Sequence, residues 1–262
     1  MLAIDTTCNA PLQVHSNSAW LVCFAILARH VTDFGDKLKI VIISATRKSP
    51  IDFQLNTALG VSLGRLAHDD RLVARIATAN TRGLSHVYNE AMSTVDDDSF
   101  VVFVHDDVWI DDFYMNQRIT EGLKHFDLIG VAGNRRRIPN QPSWCFVNTD
   151  WHWDDPAYLS GAWAYGPDPG GAVQYHGESP ATCELLDGVF MAAKKSKLSK
   201  HDVAFDPRFD FDFYDMDFCR TARLNGLKLG TWPICVTHQS PGTFGSERWH
   251  RNYQAYLAKW RG

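Results

Sequence analysis

The stretch Phe100-Val-Val-Phe-Val-His-Asp-Asp107 decides the fold class, because five apolar residues are followed at once by polar and acidic ones. A continuous apolar run of this length is typical of a β-strand that is buried on both faces. Lys39-Ile-Val-Ile-Ile-Ser44 has the same character. We expect both segments to be inner strands of a sheet, with residues 100–104 near its centre.

Helical and strand patterns alternate around these two runs. Strands that alternate with helices form βαβ units around a parallel sheet. The first half of the chain therefore predicts an open, mostly parallel α/β sheet of the nucleotide-binding type. Helices are predicted over 18–32, 51–66, 83–95 and 113–126, and further strands over 72–78 and 127–132.

The alternation ends after Gly133, and the second half is less regular. Residues 139–182 are rich in Pro, Gly and Trp, and the turn signal Pro167-Asp-Pro-Gly-Gly171 predicts a hairpin. Regular elements return after this segment. A regular element is predicted over 185–193, a strand over 228–237, and helices over 212–225 and 247–259.

Composition excludes several classes of protein. The 262 residues carry a formal net charge of −4, which lacks the basic surplus of a general nucleic-acid binder. No apolar run reaches the roughly 20 residues of a membrane span. The six cysteines form no CxxC pair, so we expect free buried thiols rather than a disulfide framework or a zinc site. These features favour a cytoplasmic location.

The acids that follow the apolar run are candidate metal ligands. His105-Asp106-Asp107 comes directly after the predicted central strand, and ligands of open α/β sheets bind where strands end. Carboxylates suit Mg²⁺ or Mn²⁺, which complete their shells with substrate phosphates. The alternative is a solvated turn that caps the next helix. Near the C-terminus, His238 leaves a strand for a glycine-containing loop, as a surface histidine also does.

A third group of polar residues opens the helix predicted over 212–225. Acids alternate with aromatic residues in 205–217, and the missing glycine excludes an EF-hand loop. At helical spacing, Asp215 shares the apolar face with Cys219 and Ala222. A carboxylate at the buried edge of a helix is a candidate general base, although a first-turn acid that stabilises the helix has the same pattern.

Taken in order, these motifs resemble the inverting GT-A glycosyltransferases of the family-2 type, from about residue 38 to residue 245. No single motif is specific, but their order and spacing are. The motifs are Val41-Ile-Ile-Ser-Ala-Thr46, Asn80-Thr-Arg-Gly-Leu-Ser-His-Val-Tyr-Asn89, Phe103-Val-His-Asp-Asp-Val108, Leu186-Asp-Gly-Val-Phe-Met-Ala192, Phe213-Tyr-Asp-Met-Asp-Phe-Cys219 and Val236-Thr-His238.

The resemblance implies a nucleotide-diphosphate sugar as donor, with uridine or deoxythymidine as the base. Asp106 would approach the ribose or base, and the Asp187-Gly188 loop would contact the donor sugar and acceptor. The full set of residues that the resemblance implies for donor binding is Ser44, Ala45, Thr46, Asn80, Gly83, Asp106, Asp187 and Gly188.

The resemblance also implies a metal site and a base. Asp107 and His238 would hold Mn²⁺ or Mg²⁺ on the diphosphate, whereas His105 replaces the usual first acid and leaves that contact open. Asp215 would take the proton from an acceptor hydroxyl, and Tyr214 replaces the usual Glu beside it. A single in-line displacement then inverts the anomeric configuration.

The tryptophans of the irregular segment are candidates for the acceptor site, since aromatic rings stack on the apolar faces of sugars. The alternative is that they fill a minor second core. Arginines 135–137 could meet phosphates or lie on a solvated edge, and Arg248 and Arg251 could clamp the diphosphate. The four candidate tryptophans are Trp144, Trp151, Trp153 and Trp163.

These observations lead to one interpretation and two rivals. The chain is expected to be one GT-A domain over 1–262, with an N-terminal tail and helix (1–38), a nucleotide-sugar half (39–134) and an acceptor half (135–262). It would transfer a hexosyl or deoxyhexosyl group to a saccharide or glycoconjugate in polysaccharide biosynthesis. A lipid-linked acceptor would bring it to a membrane surface, and it could be one domain of a longer synthase. The rivals are a metal-dependent nucleotidyltransferase or pyrophosphatase, and an inactive carbohydrate-binding domain.

Overall fold

The computed structural model describes residues 38–240, 242 and 244–261. The helix predicted over 18–32, the tail before it, and Cys8 and Cys23 lie outside the described residues. Within the described part, Cys145, Cys183 and Cys219 are buried free thiols, whereas Cys235 is free but exposed. No helix in that part is long and apolar enough to cross a membrane.

Helices and strands alternate in the first half of the described chain and are less regular in the second. The helices are α1 (Pro50–Asn56), α2 (Ala58–Arg65), α3 (Leu84–Ser93), α4 (Met115–His125), α5 (Lys195–Lys200), α6 (Tyr214–Leu224) and α7 (Glu247–Trp260). The strands are β1 (Ile40–Ala45), β2 (Leu72–Ala77), β3 (Phe100–Val104), β4 (Val108–Ile110), β5 (Leu128–Gly130), β6 (Ala132–Asn134), β7 (Leu159–Tyr165), β8 (Ala172–Gly177), β9 (Ala181–Cys183), β10 (Leu185–Leu186), β11 (Phe190–Lys194), β12 (Leu229–Thr231) and β13 (Val236–His238).

The larger sheet has seven strands in the order β2-β1-β3-β11-β5-β12-β9. β1 runs parallel to β2 and β3, with Ile40 opposite both Leu72 and Phe100. β11 runs antiparallel to β3 and to β5, so the sheet is mixed. Both predicted inner strands are confirmed, because the side chains of β3 are buried and the strand has neighbours on both sides.

The smaller sheet has the order β10-β6-β7-β13-β4, with β8 paired to β7. The predicted hairpin is confirmed, since Tyr165 lies opposite Ala172 in an antiparallel pair. The fold class predicted from the sequence is therefore confirmed as mixed α/β, with sheets flanked by helices.

Two predicted strands are each divided between the two sheets. The strand expected over 127–132 separates at Val131, whose carbonyl accepts from the Ala162 amide at 3.1 Å, into β5 of one sheet and β6 of the other. The strand expected over 228–237 separates into β12 and β13 around Pro233, which has no N–H to donate to a ladder. A hydrophobic pattern does not encode such a change of sheet.

The helix predicted over 51–66 is in fact two helices. Thr57 has extended backbone angles between α1 and α2. Its hydroxyl donates to the Phe53 carbonyl at 2.7 Å and accepts from the Gly60 amide at 3.0 Å, so it caps both helices. The break also allows the Leu59 amide to donate to the Asp106 carbonyl at 3.1 Å. The interruption thus anchors the acidic loop.

The regular element predicted over 185–193 consists of two strands, β10 and β11, with a short loop between them. Residues 187–189 leave the strand direction between β10 and β11, and the Val189 amide donates to Asp187 Oδ1 at 2.7 Å. This short loop turns Asp187 and Gly188 toward a cavity beside the end of β3.

Candidate active site

Two adjoining depressions lie where strands of the parallel part of the sheet end. The first, called the central cavity, is lined by residues from 105–107, 142–146, 187–188 and 211–216, together with His238. Ligands of open α/β sheets bind at this edge, so the location agrees with the sequence-based expectation.

The second depression, called the basic groove, begins where the first ends. It is lined by residues from 45–48, 80–84 and 210–211, together with Asp106 and Arg248. Four residues line both depressions and make them continuous, namely Ala45, Leu84, Asp106 and Phe211.

The cation cluster comprises His105, Asp107 and His238. One potential ligand atom from each lies within 4.8 Å of the others. His238 reaches this place because β13 pairs antiparallel with β4, which puts His238 opposite Val108. The Gln239 amide then donates to the Asp107 carbonyl at 3.0 Å. Sheet pairing therefore unites residues that are 131 positions apart in the sequence.

The electrostatics of the cluster suit a cation. His238 Nε2 lies 3.4 Å from Asp107 Oδ2. Burial raises the pKa of Asp107, but the hydrogen bond and charge of His238 outweigh burial and lower it to about 2. Burial also lowers the pKa of His105 against the opposing effect of Asp107. The cluster thus offers an ionised carboxylate and a neutral imidazole, the forms that ligate metals.

Asp215 faces the same cavity from the first turn of α6. Its Oδ2 accepts from the Gly188 amide at 3.0 Å, and its Oδ1 accepts from the Met216 amide at 2.8 Å. Burial, followed by the negative charge of Asp187, raises the pKa of Asp215 to about 7. A carboxyl group with a pKa near neutrality is well matched to general-base catalysis.

The start of α6 is held in place by aromatic packing. Phe213, which precedes the helix, has a φ of 67°, in the left-handed region that costs a non-glycine residue free energy. Its ring stacks on Tyr253 and Tyr256 of α7 and contacts Trp249. The C-terminal helix therefore stabilises the turn that directs Asp215 into the cavity.

The predicted donor residues are placed differently from one another. Ala45, Asn80 and Gly83 line the basic groove. Thr46 also borders it, but its side chain is buried and its hydroxyl accepts from the Lys48 amide at 3.1 Å. Ser44 is fully buried on β1 and lines neither depression.

Asn80 and Gly83 shape the loop that leads into α3. Asn80 Nδ2 donates to the Arg82 carbonyl at 2.7 Å, while its Oδ1 accepts from the Arg82 amide. A β-carbon at Gly83 would lie 2.5 Å from Asp210 Oδ1, so glycine is required for this close approach. These contacts keep the groove open. They engage the polar atoms of the Asn80 side chain within the loop, so these atoms are not free to bind a ligand.

Sequence reasoning missed most of the positive charge of the groove. Arg47, Lys48 and Arg82 border it beside Arg248, and the first two directly follow the end of β1. Their signal was available, since basic residues just after a strand end favour an anion. Phe211 was also missed, although its ring stacks on His105 with 5.8 Å between centroids and lies 5.1 Å from the Arg248 guanidinium.

Three of the four predicted tryptophans line the central cavity. Trp144 and Trp163 are buried there, whereas Trp153 is 47% exposed. Trp151 is not among the lining residues and packs instead on Phe146, Phe244 and Trp249. Part of the tryptophan-rich segment thus joins the main hydrophobic core, and Trp153 is open to a ligand.

The remaining basic candidates lie elsewhere. Arg136 forms an ion pair with Asp154, and its guanidinium lies 3.7 Å from the centre of the Tyr158 ring. Neither depression is lined by residues 135–137 or by Arg251 in the described part of the chain. Arg136 therefore acts in local packing, and none of the three arginines lines either depression.

Several solved structures are similar to this chain at low sequence identity. S. aureus TarS is 14% identical, over 85% of this chain and 39% of that chain, with a TM-score of 0.46. A mannosyltransferase from Pyrobaculum calidifontis, PcManGT, in complex with GDP-Man and Mn²⁺, is 13% identical over 83% of this chain and 59% of that chain, with a TM-score of 0.41. GalNAc-T7 with UDP, GalNAc and Mn²⁺ is 10% identical over 84% of this chain and 48% of that chain, with a TM-score of 0.48.

The chain spans between 39% and 59% of the length of these three structures. Because the TM-scores are below 0.5, the likenesses establish neither substrate nor mechanism. No curated protein matches the chain. A sequence model described as "Glycosyltransferase like family" matches residues 69–240, which is more than half of the chain and includes the cation cluster and Asp215. The chain therefore belongs to the glycosyltransferase-like family, as the resemblance of its motifs predicted.

Proposed function

We propose that this protein is a metal-dependent, inverting glycosyltransferase of the GT-A type. It would move a sugar from a nucleotide-diphosphate sugar to a hydroxyl of a saccharide or glycoconjugate. One observation carries the proposal: the cation cluster and the candidate base Asp215 line the same cavity, and that cavity continues into the basic groove. A cation stabilises the leaving diphosphate, a base takes the proton of the acceptor, and a groove with basic residues holds the donor, so the three parts together suit glycosyl transfer.

The basic groove supports a diphosphate donor. Arg47, Lys48, Arg82 and Arg248 surround it, against the two acids Asp106 and Asp210. Two of these cations are paired within the protein, Arg82 with Glu90 and Arg248 with Asp212, so Arg47 and Lys48 are the cations most available to a diphosphate. A uridine or deoxythymidine nucleotide would lie in the groove, with its diphosphate directed toward Asp106 and the cation cluster.

Asp107, His238 and His105 would hold the cation, and their donor atoms fit Mn²⁺. When bound, a divalent ion neutralises the charge that develops on the leaving diphosphate. The carboxylate of Asp107 is already ionised at neutral pH because the pKa of this group is held at about 2. No proton has to leave it for a cation to bind.

Asp215 would act as the general base. It takes the proton of the acceptor hydroxyl while the hydroxyl oxygen forms a bond to the anomeric carbon. The bond from that carbon to the diphosphate oxygen breaks, and its electron pair leaves with the nucleoside diphosphate. Since one displacement occurs, the anomeric configuration is inverted. The two amides that donate to Asp215 hold its carboxylate in orientation.

The acceptor would enter past the tryptophans. Trp153, which is 47% exposed, offers a flat apolar surface on which a sugar ring stacks, while the buried Trp144 and Trp163 form part of the cavity wall beside it. A saccharide, whether free, polymeric or lipid-linked, presents such rings. Residues 39–134 would then bind the donor and residues 135–262 the acceptor within a single domain. The same division of roles would hold if the chain were one domain of a longer synthase.

A thermal-shift screen tests the proposal. A ligand that binds only the native state stabilises it by about 2.7 kcal/mol at a concentration of 100 times its Kd. We expect UDP- or dTDP-sugars to raise the melting temperature further when Mn²⁺ is present, and Asp107→Ala to abolish that Mn²⁺-dependent increment.

The matched control for this screen is Asp96→Ala, which removes an exposed acid that pairs with Lys39 on the surface. It should leave the increment unchanged. Absence of a shift with every nucleotide sugar, or an equal shift in Asp107→Ala, would contradict the proposed donor site.

A further inference from the structure

A chain of hydrogen bonds joins the cation cluster to the candidate base. The Tyr214 hydroxyl lies 2.7 Å from His105 Nε2 and 2.9 Å from the Gly188 carbonyl oxygen. The Gly188 amide donates to Asp215 Oδ2 at 3.0 Å. Tyr214 is 3% exposed, so water does not compete for its hydroxyl. One buried phenol thus contacts both halves of the site.

The direction of each hydrogen bond follows from donor and acceptor capacity. A carbonyl oxygen only accepts, so the Tyr214 hydroxyl uses its single proton on Gly188. The hydroxyl oxygen must then accept from His105 Nε2, which is the protonated ring nitrogen. In a neutral imidazole the free lone pair then lies on Nδ1. Tyr214 therefore selects one of the two tautomers of His105.

We propose that Tyr214 is a positioning residue that presents His105 Nδ1 to a metal ion, so that His105, Asp107 and His238 form a three-ligand site selective for a transition metal such as Mn²⁺ over Mg²⁺. The proposal deepens the proposed function and rests on it for the purpose of the ion. It assigns a role to His105, which replaces the usual first acid of the motif that residues 105–107 resemble.

The composition of the donor set carries the selectivity. Two imidazole nitrogens and one carboxylate suit transition metals, whereas Mg²⁺ prefers oxygen ligands and keeps several waters. Three protein ligands also leave coordination positions open for phosphate oxygens. A site with three protein ligands does not need the nucleotide to hold its ion. Mn²⁺ should therefore bind to the protein alone, before the donor.

The hydrogen bond to His105 is the kind of contact that tunes a metal site. Ligating histidines usually donate their second ring N–H to a neighbouring acceptor, and loss of that acceptor weakens metal binding by about 10- to 100-fold. The Tyr214 ring also packs near Phe205 and Tyr88, with 6.0 Å between centroids in each case. Tyr214→Phe keeps this packing and removes only the hydroxyl.

The experiment is a titration with Mn²⁺ alone, read from the electron paramagnetic resonance signal of the free ion, followed by competition with Mg²⁺. We expect one Mn²⁺ site in the wild-type protein and displacement only by Mg²⁺ in more than tenfold excess. Tyr214→Phe should weaken Mn²⁺ binding by about 10- to 100-fold. The matched control is Tyr253→Phe, whose hydroxyl donates to the Asn140 carbonyl and has no bond to the cluster, and it should bind Mn²⁺ as the wild type does.

A second variant measures selectivity directly. His105→Asp restores an acid and exchanges a nitrogen ligand for oxygen, so the preference for Mn²⁺ over Mg²⁺ should fall at least tenfold. Equal Mn²⁺ affinity in Tyr214→Phe and wild type, or displacement of Mn²⁺ by an equal concentration of Mg²⁺, overturns the proposal. If Tyr214→Phe does not fold, displacement of Mn²⁺ by an equal concentration of Mg²⁺ in the wild type, or an unchanged metal preference in His105→Asp, still overturns the three-ligand site on which the role of Tyr214 depends. No donor or acceptor is present, so failure here is distinct from failure of glycosyl transfer.

Discussion

Gly188 lies so close to Tyr214 that a β-carbon at position 188 would be 2.1 Å from the Tyr214 hydroxyl and 2.9 Å from the β-carbon of Asp215. Because position 188 carries no side chain, the Gly188 amide can donate to Asp215 and the Gly188 carbonyl can accept from the Tyr214 hydroxyl. The loop between β10 and β11 and the first turn of α6 therefore form one unit. Its geometry depends on the absence of a side chain at a single position.

Gly188→Ala should accordingly displace Tyr214 and Asp215 together. We expect transfer activity to fall at least 100-fold, since a misplacement of about 1 Å at a reacting group has this effect. Gly64→Ala is the control, because a β-carbon there comes within 4 Å of no further atom among the residues that the structure describes. Being in a helix, that change should stabilise the protein by up to about 1 kcal/mol and leave activity intact. Normal activity of Gly188→Ala in a steady-state assay would show that the unit is not needed.

The pH profile of activity should report the ionisation of Asp215. A base must be ionised to accept a proton, so kcat/KM should rise as the pH passes through about 7, the pKa of Asp215, and level off above it. The Asp187 carboxylate is the second cause of the raised pKa, after burial. Asp187→Asn should therefore shift the profile toward lower pH, while the surface variant Asp96→Asn should not. A pH profile that is identical in Asp187→Asn and wild type would show that the charge of Asp187 does not raise the pKa of Asp215.

The same raised pKa predicts how stability depends on pH. Between the ordinary pKa of 3.8 and about 7, the folded protein keeps a proton that the unfolded chain has released. The contribution of the Asp215 carboxyl to the free energy of unfolding is thus greatest at low pH, and it is lost as the pH rises from 3.8 to about 7. Asn at position 215 does not titrate.

Asp215→Asn should consequently gain stability relative to wild type as the pH increases from 5 to 8, by roughly 2 to 3 kcal/mol, since the difference grows by about 1.4 kcal/mol per pH unit up to a pH of about 7. Urea unfolding at both pH values measures the difference. A difference between the two proteins that stays constant with pH would place the carboxyl of Asp215 in an ordinary aqueous environment.

Trp153 provides a test of acceptor binding. Its ring is half exposed in the central cavity, so Trp153→Ala should raise the KM for the acceptor by about tenfold or more, as expected for loss of a stacking surface. The Kd of the donor should not change, because Trp153 is not part of the basic groove. Phe113→Ala is the control, since Phe113 is 57% exposed and borders neither of the two depressions. A change in donor affinity with an unchanged acceptor KM would place Trp153 at the donor instead and contradict the prediction.

The sequence was most informative where local pattern and burial coincide. The apolar run of β3 predicted a central strand, and the acids after it predicted the edge at which the cavity lies. Asp107 and His238 could be paired only through a family resemblance, because their contact depends on the antiparallel register of β13 on β4. The register of two strands that lie so far apart in the sequence leaves no pattern in the sequence of either strand.

Other features could not be read from the sequence. The division of the helix at Thr57 and the change of sheet at Val131 depend on tertiary contacts that compete with periodicity. Ser44 was expected to line the nucleotide site because the family resemblance implied it, but its side chain is fully buried. His105 was left without a role because a histidine in an acidic motif gains meaning only once Tyr214 and His238 are seen beside it.

The most direct test of the central claim is ³¹P NMR of a reaction that contains the protein, Mn²⁺ and a panel of nucleotide-diphosphate sugars, with water or an added saccharide as acceptor. The account predicts that one donor yields the nucleoside diphosphate, and that Asp215→Asn lowers this rate by about 10²- to 10⁴-fold. Formation of a nucleoside monophosphate and a sugar phosphate would instead identify a pyrophosphatase. That product, or equal rates in wild type and Asp215→Asn, would contradict glycosyl transfer by this site.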